Sequence, residues 1–217
     1  MALRLHRHGR FRHWLGQALG GDDALGDRAW RRIMHSLGAA VLVYYLFPDN
    51  FFVIAPKVDI LLAVLAFVIV LEILRHTAGL QLPTLRPYEV HRVASFVFYS
   101  LALVLAIVLF PLPIAAAVIL GTSIVDPLLG ELRQERASPV LAVGIPLGAY
   151  GGLAFLGLVA VGGWPAGPSA VLAAAAAPLA VAAEWPKSPW VDDDLVMTLV
   201  PGLFLYGAGI LALGLPR

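Results

Sequence analysis

Residues 110–131 read FPLPIAAAVILGTSIVDPLLGE, and this stretch decides the fold class. A helix needs roughly 20 apolar residues to cross a bilayer, with a range of about 17–25, and the run 114–129 approaches that length. The prolines at 111 and 113 make a tight turn after the preceding apolar run, 93–110. The two runs therefore predict an antiparallel pair of transmembrane helices.

The same apolar pattern recurs along the rest of the chain. Hydrophobic residues make up 60% of the 217 residues and charged residues 13%, whereas a soluble domain carries about 25% charged residues. This composition excludes a water-soluble globule and predicts an all-α, polytopic transmembrane helical bundle. We expect about seven spans, at 33–48, 58–74, 93–110, 114–129, 139–161, 168–183 and 195–214. The chain then divides into a basic cytoplasmic N-terminal segment, 1–32, and a transmembrane helical domain, 33–217.

Charge distinguishes the two faces of the predicted bundle. Of the 15 basic and 14 acidic residues, only four fall at the face opposite the N-terminus: Asp49, Lys57, Asp59 and Arg217. Basic residues favour the cytoplasmic side of short loops, so we expect a cytoplasmic N-terminus and a multi-pass protein of the prokaryotic cytoplasmic membrane. The arginine-rich segment 1–32 is expected to lie on anionic lipid headgroups. A net charge of +1 gives no reason to expect a nucleic-acid partner.

Two further features of composition limit the function. The chain has no cysteine, which excludes thiolate catalysis and a cysteine-ligated zinc site. Gly144, Gly148 and Gly152 recur every four residues on the fifth span, a spacing that lets two helices approach closely. We favour packing inside the monomer for this stripe, and a homodimer is the alternative.

Ionisable residues cluster at the cytoplasmic ends of the first three spans. Arg31 and His35 are four residues apart on one helix face, which predicts two donors for a phosphate, although arginines at a span end also serve orientation alone. Glu72 and Arg75 close the second span, and their spacing also permits a simple ion pair. Glu89 and Arg92 repeat that spacing at the start of the third span.

The later spans add carboxylates at the same face. Asp126 lies beside Pro127, which removes a backbone donor and is expected to loosen the helix there. Asp192, Asp193 and Asp194 precede the seventh span, and Asp194 is a candidate helix cap. Three successive carboxylates exceed what capping needs. The remaining charged candidates in the cytoplasmic loops are Glu131, Arg133 and Lys187.

Together these residues predict a cytoplasmic-face site for a nucleotide and Mg²⁺, with phosphoryl transfer as the chemistry. Carboxylates hold Mg²⁺, usually one or two together with substrate phosphates, and we assign the metal to Asp126, Asp192 and Asp193. The expected phosphate ligands are Arg31, Arg75, Arg92, Arg133 and Lys187, the expected catalytic residues are Asp126 and His35, and the expected supporting acids are Glu72, Glu89 and Glu131. No Walker A sequence or protein-kinase glycine loop is present.

Four short motifs, in order, resemble the family of dolichol kinase, phytol kinase and CTP-dependent diacylglycerol kinase. They are RRIMHSLG at 31–38, EILR at 72–75, DPLLG at 126–130 and DDDL at 192–195. The resemblance covers about residues 28–214. The chain departs from the family at Val125, where glycine is usual, and at Asp194, where asparagine is usual. It also lacks the family's glycine-rich nucleotide segment after Gly130.

The resemblance implies an integral-membrane lipid kinase. Such an enzyme transfers a phosphoryl group from CTP, with Mg²⁺, to the hydroxyl of a polyprenol, a phytol-like alcohol or diacylglycerol. A phosphatidate cytidylyltransferase-like enzyme that makes a CDP-lipid is one alternative. A non-catalytic membrane scaffold or a transporter is another.

Overall fold

The protein is described from a computed structural model that covers residues 17–18, 23–51, 55–79, 89, 92–135, 138–183 and 191–213. Its α-helices are α1 Asp23–Leu37, α2 Lys57–Ala78, α3 Ser95–Leu109, α4 Leu112–Gln134, α5 Pro139–Leu156, α6 Ala166–Ala183 and α7 Asp193–Leu213. Helix α1 continues as a 3₁₀ segment, Gly38–Leu46, and α5 continues as a π-helical turn, Gly157–Val161. A two-residue antiparallel ladder joins β1, Asn50–Phe51, to β2, Ala55–Pro56. The all-α prediction is confirmed in these ranges apart from that ladder.

Within the described residues, each of the seven predicted apolar runs overlaps a helical segment. In the same residues, four helical segments are long and apolar enough to cross a membrane: Leu112–Arg133, Pro139–Val161, Ala166–Ala183 and Asp193–Leu211. Two shorter apolar segments, Arg32–Leu46 and Ser95–Leu109, accompany them. Large apolar side chains are exposed on several of these helices, including Phe67, Val140 and Leu211. Exposure on this scale suits a lipid surface, because soluble monomers seldom present extended apolar patches to water.

Helix α4 is the centre of the bundle. It packs against α5 and α7, and α1 and its 3₁₀ extension also contact it. Its residues 114–119 are buried almost completely, since the three small alanines at 115–117 let helices approach on several sides. Helices α5, α6 and α7 pack in sequence, and α3 closes the bundle against α7. Because α4, α1 and α7 meet, the polar ends of three helices come together.

The structure corrects the prediction of a loosened helix at Pro127. Helix α4 passes through this proline and continues to Gln134. Proline lacks the backbone N–H that would bond to the carbonyl four residues earlier, but the surrounding helices hold the chain in helical geometry. Asp126 therefore projects from a continuous helix and not from a break.

The preference for packing the glycine stripe inside the monomer is also wrong. Gly144, Gly148 and Gly152 are exposed, and a Cβ added at any of them would meet no atom within 4 Å. The buried side chains of α5 are instead Pro146, Tyr150 and Ala154. The helix turns this other face toward α4 and α6, which leaves the glycines on the outside.

An ion pair closes the loop between the 3₁₀ segment and α2, at the end of the bundle away from the cluster of charge. Lys57 Nζ lies 2.8 Å from Asp49 Oδ1, and it also donates to the Phe47 carbonyl at 3.4 Å. The hydrogen bond from Lys57 to the exposed Asp49 carboxylate lowers the pKa of that carboxyl. These contacts close the loop that precedes α2.

Candidate functional site

Three side chains from three helices converge at the end of the bundle that carries most of the charge. His35 Nε2 lies 3.3 Å from Asp194 Oδ1 and 3.6 Å from Asp126 Oδ2. One ligand atom from each residue lies within 4.8 Å of the other two, so the group could hold a metal ion. We call His35, Asp126 and Asp194 the His–Asp–Asp cluster. Its side chains are 12%, 25% and 8% exposed, respectively, so the cluster lies below the surface with Asp126 as its most accessible member.

Hydrogen bonds between α4 and α7 hold the two aspartates of the cluster in register. Thr198 Oγ1 lies 2.8 Å from the Asp194 carbonyl, one turn earlier on α7, and 3.0 Å from Thr122 Oγ1 on α4. Thr122 is one turn before Asp126, and both threonines are fully buried. Side chains four residues apart lie on the same helix face, so the threonine pair and the aspartate pair form two successive layers between the helices.

Tyr99 on α3 supports the histidine of the cluster. Its ring stacks on the His35 ring, with centroids 4.0 Å apart and an interplanar angle of 23°. Its hydroxyl donates to the His35 carbonyl at 2.7 Å and pairs with Ser123 Oγ at 2.7 Å. Gly38 makes this approach feasible, because a Cβ there would overlap the Tyr99 hydroxyl. The spacing His35-x-x-Gly38 thus has a packing reason.

Asp192 immediately precedes α7 and belongs to a neighbouring group of acids. Its Oδ1 accepts from the backbone N–H of Asp194 at 3.4 Å, so Asp192 caps the helix. The cap was expected at Asp194, and the structure corrects that prediction. Its Oδ2 lies 2.7 Å from Ser95 Oγ, and Glu89 Oε1 lies 2.6 Å from the same hydroxyl. Burial and the adjacent Asp193 carboxylate raise the pKa of Asp192. A proton on Asp192 would satisfy both short contacts, since one serine hydroxyl donates only one hydrogen.

Glu72 and Arg75 form a buried ion pair at the end of α2. Arg75 Nε and Nη2 donate to the two Glu72 carboxylate oxygens at 2.8 and 2.7 Å. The guanidinium also donates to the carbonyls of Glu89 and Arg92 at 3.0 and 2.6 Å, and Glu72 accepts from the Ala94 N–H at 2.9 Å. Phosphate binding was predicted for Arg75, but these contacts commit its guanidinium to joining α2 to the start of α3.

Two other arginines lie beside the cluster. Arg32, one turn before His35, forms an ion pair with Glu131 on α4. Arg92 Nη2 lies 3.9 Å from Asp192 Oδ2. Both side chains are about one-third exposed, which keeps them within reach of a ligand in water.

The remaining predicted phosphate ligands are placed less fully. Arg133 is half-buried near the end of α4. Arg31 lies on α1, but its side chain is outside the described part of the structure, as is the whole of Lys187. Their roles stay predictions.

The structure therefore brings together part of the predicted site and adds residues that sequence reasoning missed. His35 and Asp126 meet as expected, but the third member is Asp194 and not Asp192 or Asp193, whose metal-binding roles stay predictions. The periodicity of α7 could have shown this, because Asp194 shares a helix face with the buried Thr198. Tyr99 and Ser95 carried no comparable signal, since each contacts residues distant along the chain.

Comparison with known proteins gives no relative for this chain: no protein-family model matches it, no curated protein is similar to it, and no solved structure matches its fold. The function is accordingly inferred from the site itself.

Proposed function

We propose that this protein is a multi-pass membrane enzyme that transfers a phosphoryl group from a nucleotide, CTP in the first instance, to the hydroxyl of a membrane lipid. The observation that carries the proposal is the His–Asp–Asp cluster, which lies at the charged end of an apolar helical bundle. The resemblance of four motifs to lipid kinases supports it through the order of the motifs along the chain.

The proposed topology has seven spans and a cytoplasmic N-terminus. Besides the four long apolar segments, it includes α2, whose 22 residues extend about 33 Å at 1.5 Å per residue, and the two shorter apolar segments. Basic loops then face the cytoplasm, as the preference of lysine and arginine for that side requires. The cluster opens to the compartment that contains nucleoside triphosphates.

The residues of the cluster suit cation-assisted phosphoryl transfer. A bound divalent cation would neutralise charge on the transferring phosphate, and the three side chains provide an imidazole nitrogen and carboxylate oxygens for it. Arg32 and Arg92 border the cluster from α1 and from the start of α3, where they can bind phosphate oxygens. Arg32 replaces Arg75 in this role because its side chain, although paired with Glu131, is about one-third exposed, whereas the Arg75 guanidinium is buried against Glu72.

Asp126 is the proposed acceptor of the hydroxyl proton. It is the most exposed member of the cluster, and Asp194 is enclosed by α4 and α7. A lipid hydroxyl entering from the inner leaflet would reach Asp126 before the other two side chains. Positioning supplies most of the remaining catalysis, because phosphoryl transfer needs little covalent participation by the protein.

The test uses purified protein in lipid nanodiscs with γ-labelled CTP or ATP and a panel of lipid alcohols: a polyprenol, phytol and diacylglycerol. We expect label to appear in one lipid, together with release of the nucleoside diphosphate. Asp126→Asn should reduce the rate at least about 100-fold, the usual scale of a lost general base. Asp59→Asn, which changes an exposed acid in the first turn of α2, far from the cluster, is the matched control and should retain most of the activity.

Two results would contradict the proposal. One is an absence of label in every lipid with either nucleotide, and the other is an unchanged rate in Asp126→Asn. Release of pyrophosphate with formation of a CDP-lipid would identify a cytidylyltransferase instead of a kinase.

A further inference from the structure

We infer that the His–Asp–Asp cluster binds a first-row transition-metal ion of the Fe²⁺-to-Zn²⁺ class in preference to Mg²⁺, with three protein ligands and a further position open to substrate. The inference deepens the proposed function, since it concerns the cation of the same site. It also replaces the Mg²⁺ that the sequence predicts.

The chemistry of the donor set is the first argument. Mg²⁺ is usually bound through one or two carboxylates, retains several waters and demands near-ideal octahedral geometry. Imidazole, by contrast, is a ligand of zinc, iron, nickel and copper. His35 contributes its ring nitrogen at 3.3 and 3.6 Å from the two carboxylate oxygens. One imidazole with two carboxylates is therefore a donor set for a borderline metal ion.

The spacing of the donors is the second argument. Four-coordinate zinc has ligand bonds of about 2.0–2.1 Å, so its ligands lie about 3.3–3.4 Å apart around a tetrahedron. Octahedral Mg²⁺ with bonds of about 2.0–2.1 Å requires adjacent ligands about 2.8–3.0 Å apart. The two separations from His35 Nε2, 3.3 and 3.6 Å, are nearer to the tetrahedral spacing, and one donor atom from each of the three residues lies within 4.8 Å of the other two.

The fixed position of the histidine is the third argument. Stacking on Tyr99 restrains the ring, and the Tyr99 hydroxyl holds the His35 carbonyl. Supporting contacts that orient ligating side chains typically change metal affinity 10- to 100-fold when removed. The bundle thus orients the imidazole in the absence of an ion. A Mg²⁺ site would not need an oriented imidazole, because Mg²⁺ is bound mainly by oxygen ligands.

The experiment is a titration of metal-stripped, detergent-solubilised protein with Co²⁺, whose visible absorption distinguishes four- or five-coordinate from octahedral geometry. We expect one Co²⁺ per chain with the intense bands of low coordination. Zn²⁺ should displace it at stoichiometric concentration, but Mg²⁺ only in large excess, because imidazole is a ligand of zinc whereas Mg²⁺ prefers carboxylate, carbonyl and water oxygens. The measurement on the unmodified protein needs no catalytic activity.

Variants locate the bound ion. His35→Asn should weaken Co²⁺ binding at least about 100-fold, more than the loss of a supporting contact. His35→Asp makes all three protein ligands carboxylates, and it should reduce the ratio of Co²⁺ affinity to Mg²⁺ affinity. The matched control is His76→Gln on α2, a more exposed histidine that contacts Glu72 and not the cluster, and it should bind Co²⁺ like the unmodified protein.

Three outcomes would overturn the inference: displacement of Co²⁺ by equimolar Mg²⁺, binding that is unaffected in His35→Asn, or no saturable Co²⁺ binding. If Mg²⁺ displaces Co²⁺, or if His35→Asn binds Co²⁺ normally, the lipid-transfer assay still tests the proposed function separately. Transfer that requires Mg²⁺ and is unaffected by His35→Asn would support the kinase while rejecting the transition metal. Saturable Co²⁺ binding without any lipid product would support the metal site alone.

Discussion

Replacing Gly38 with alanine is the most direct way to disturb the cluster without touching its ligands. Gly38 begins the 3₁₀ segment three residues after His35. An added Cβ would overlap the Tyr99 hydroxyl and lie 2.5 Å from its Cζ atom. The tyrosine ring must then move, because the conflict involves the stiff end of an aromatic side chain that is itself packed against His35.

The free-energy change follows from three contributions. Overpacking in a tight contact costs about 1–3 kcal/mol. Displacement of Tyr99 breaks the hydrogen bonds to the His35 carbonyl and to Ser123, at about 1 kcal/mol each. Alanine offsets about 1 kcal/mol through its higher helix propensity. The net expectation is a loss of about 3 kcal/mol in the free energy of unfolding.

The assay is equilibrium unfolding in mixed micelles with increasing SDS, combined with Co²⁺ titration of the folded variant. Gly38→Ala should unfold at lower SDS and bind Co²⁺ more weakly, because His35 loses its stacking partner. Gly144→Ala is the matched control: a Cβ there meets no atom within 4 Å, so stability should be equal or higher. Equal stability and equal Co²⁺ affinity in Gly38→Ala would refute the role assigned to the Gly38–Tyr99 contact.

Three further perturbations test other parts of the structure. Arg75→Met leaves the buried Glu72 carboxylate without the arginine and should cost about 3–5 kcal/mol of unfolding free energy. Lys57→Met breaks a pair whose Asp49 carboxylate is exposed and should cost much less. Similar losses in SDS unfolding would contradict this ranking. Tyr150→Phe removes a fully buried hydroxyl that has no hydrogen-bond partner among the described residues, and it should raise stability by about 1 kcal/mol, so a clear loss would reveal a partner for that hydroxyl. Burial raises the pKa of the Asp192 carboxyl above its ordinary value of 3.8. The protonated carboxyl therefore contributes fully to the stability of the fold below pH 3.8, and this contribution is lost as the pH rises through the raised pKa. Asp192→Asn should therefore gain stability relative to the unmodified protein as pH rises, and an SDS-unfolding series with a pH-independent difference would exclude this titration.

Much of the fold could be predicted from local sequence, but the exact composition of the site could not. The run 114–129 is apolar enough to require a helix in a nonaqueous setting, and Pro111 and Pro113 mark the turn before it. Pro127 shows the limit of such local rules, since surrounding helices keep α4 intact across it. The glycines of α5 show another limit, because spacing identifies a smooth helix face but not which way that face turns.

The sequence by itself determined the helical class, the positions of the apolar segments and the concentration of charge at one end. These properties follow from composition and from short-range periodicity, which depend on neighbours along the chain. Only the tertiary structure decided that Asp194 joins His35 and Asp126, that Asp192 caps α7, and that Arg75 is held by Glu72. Those assignments depend on the rotation and depth of each helix in the bundle, which are fixed by long-range packing such as that of Tyr99 against Gly38.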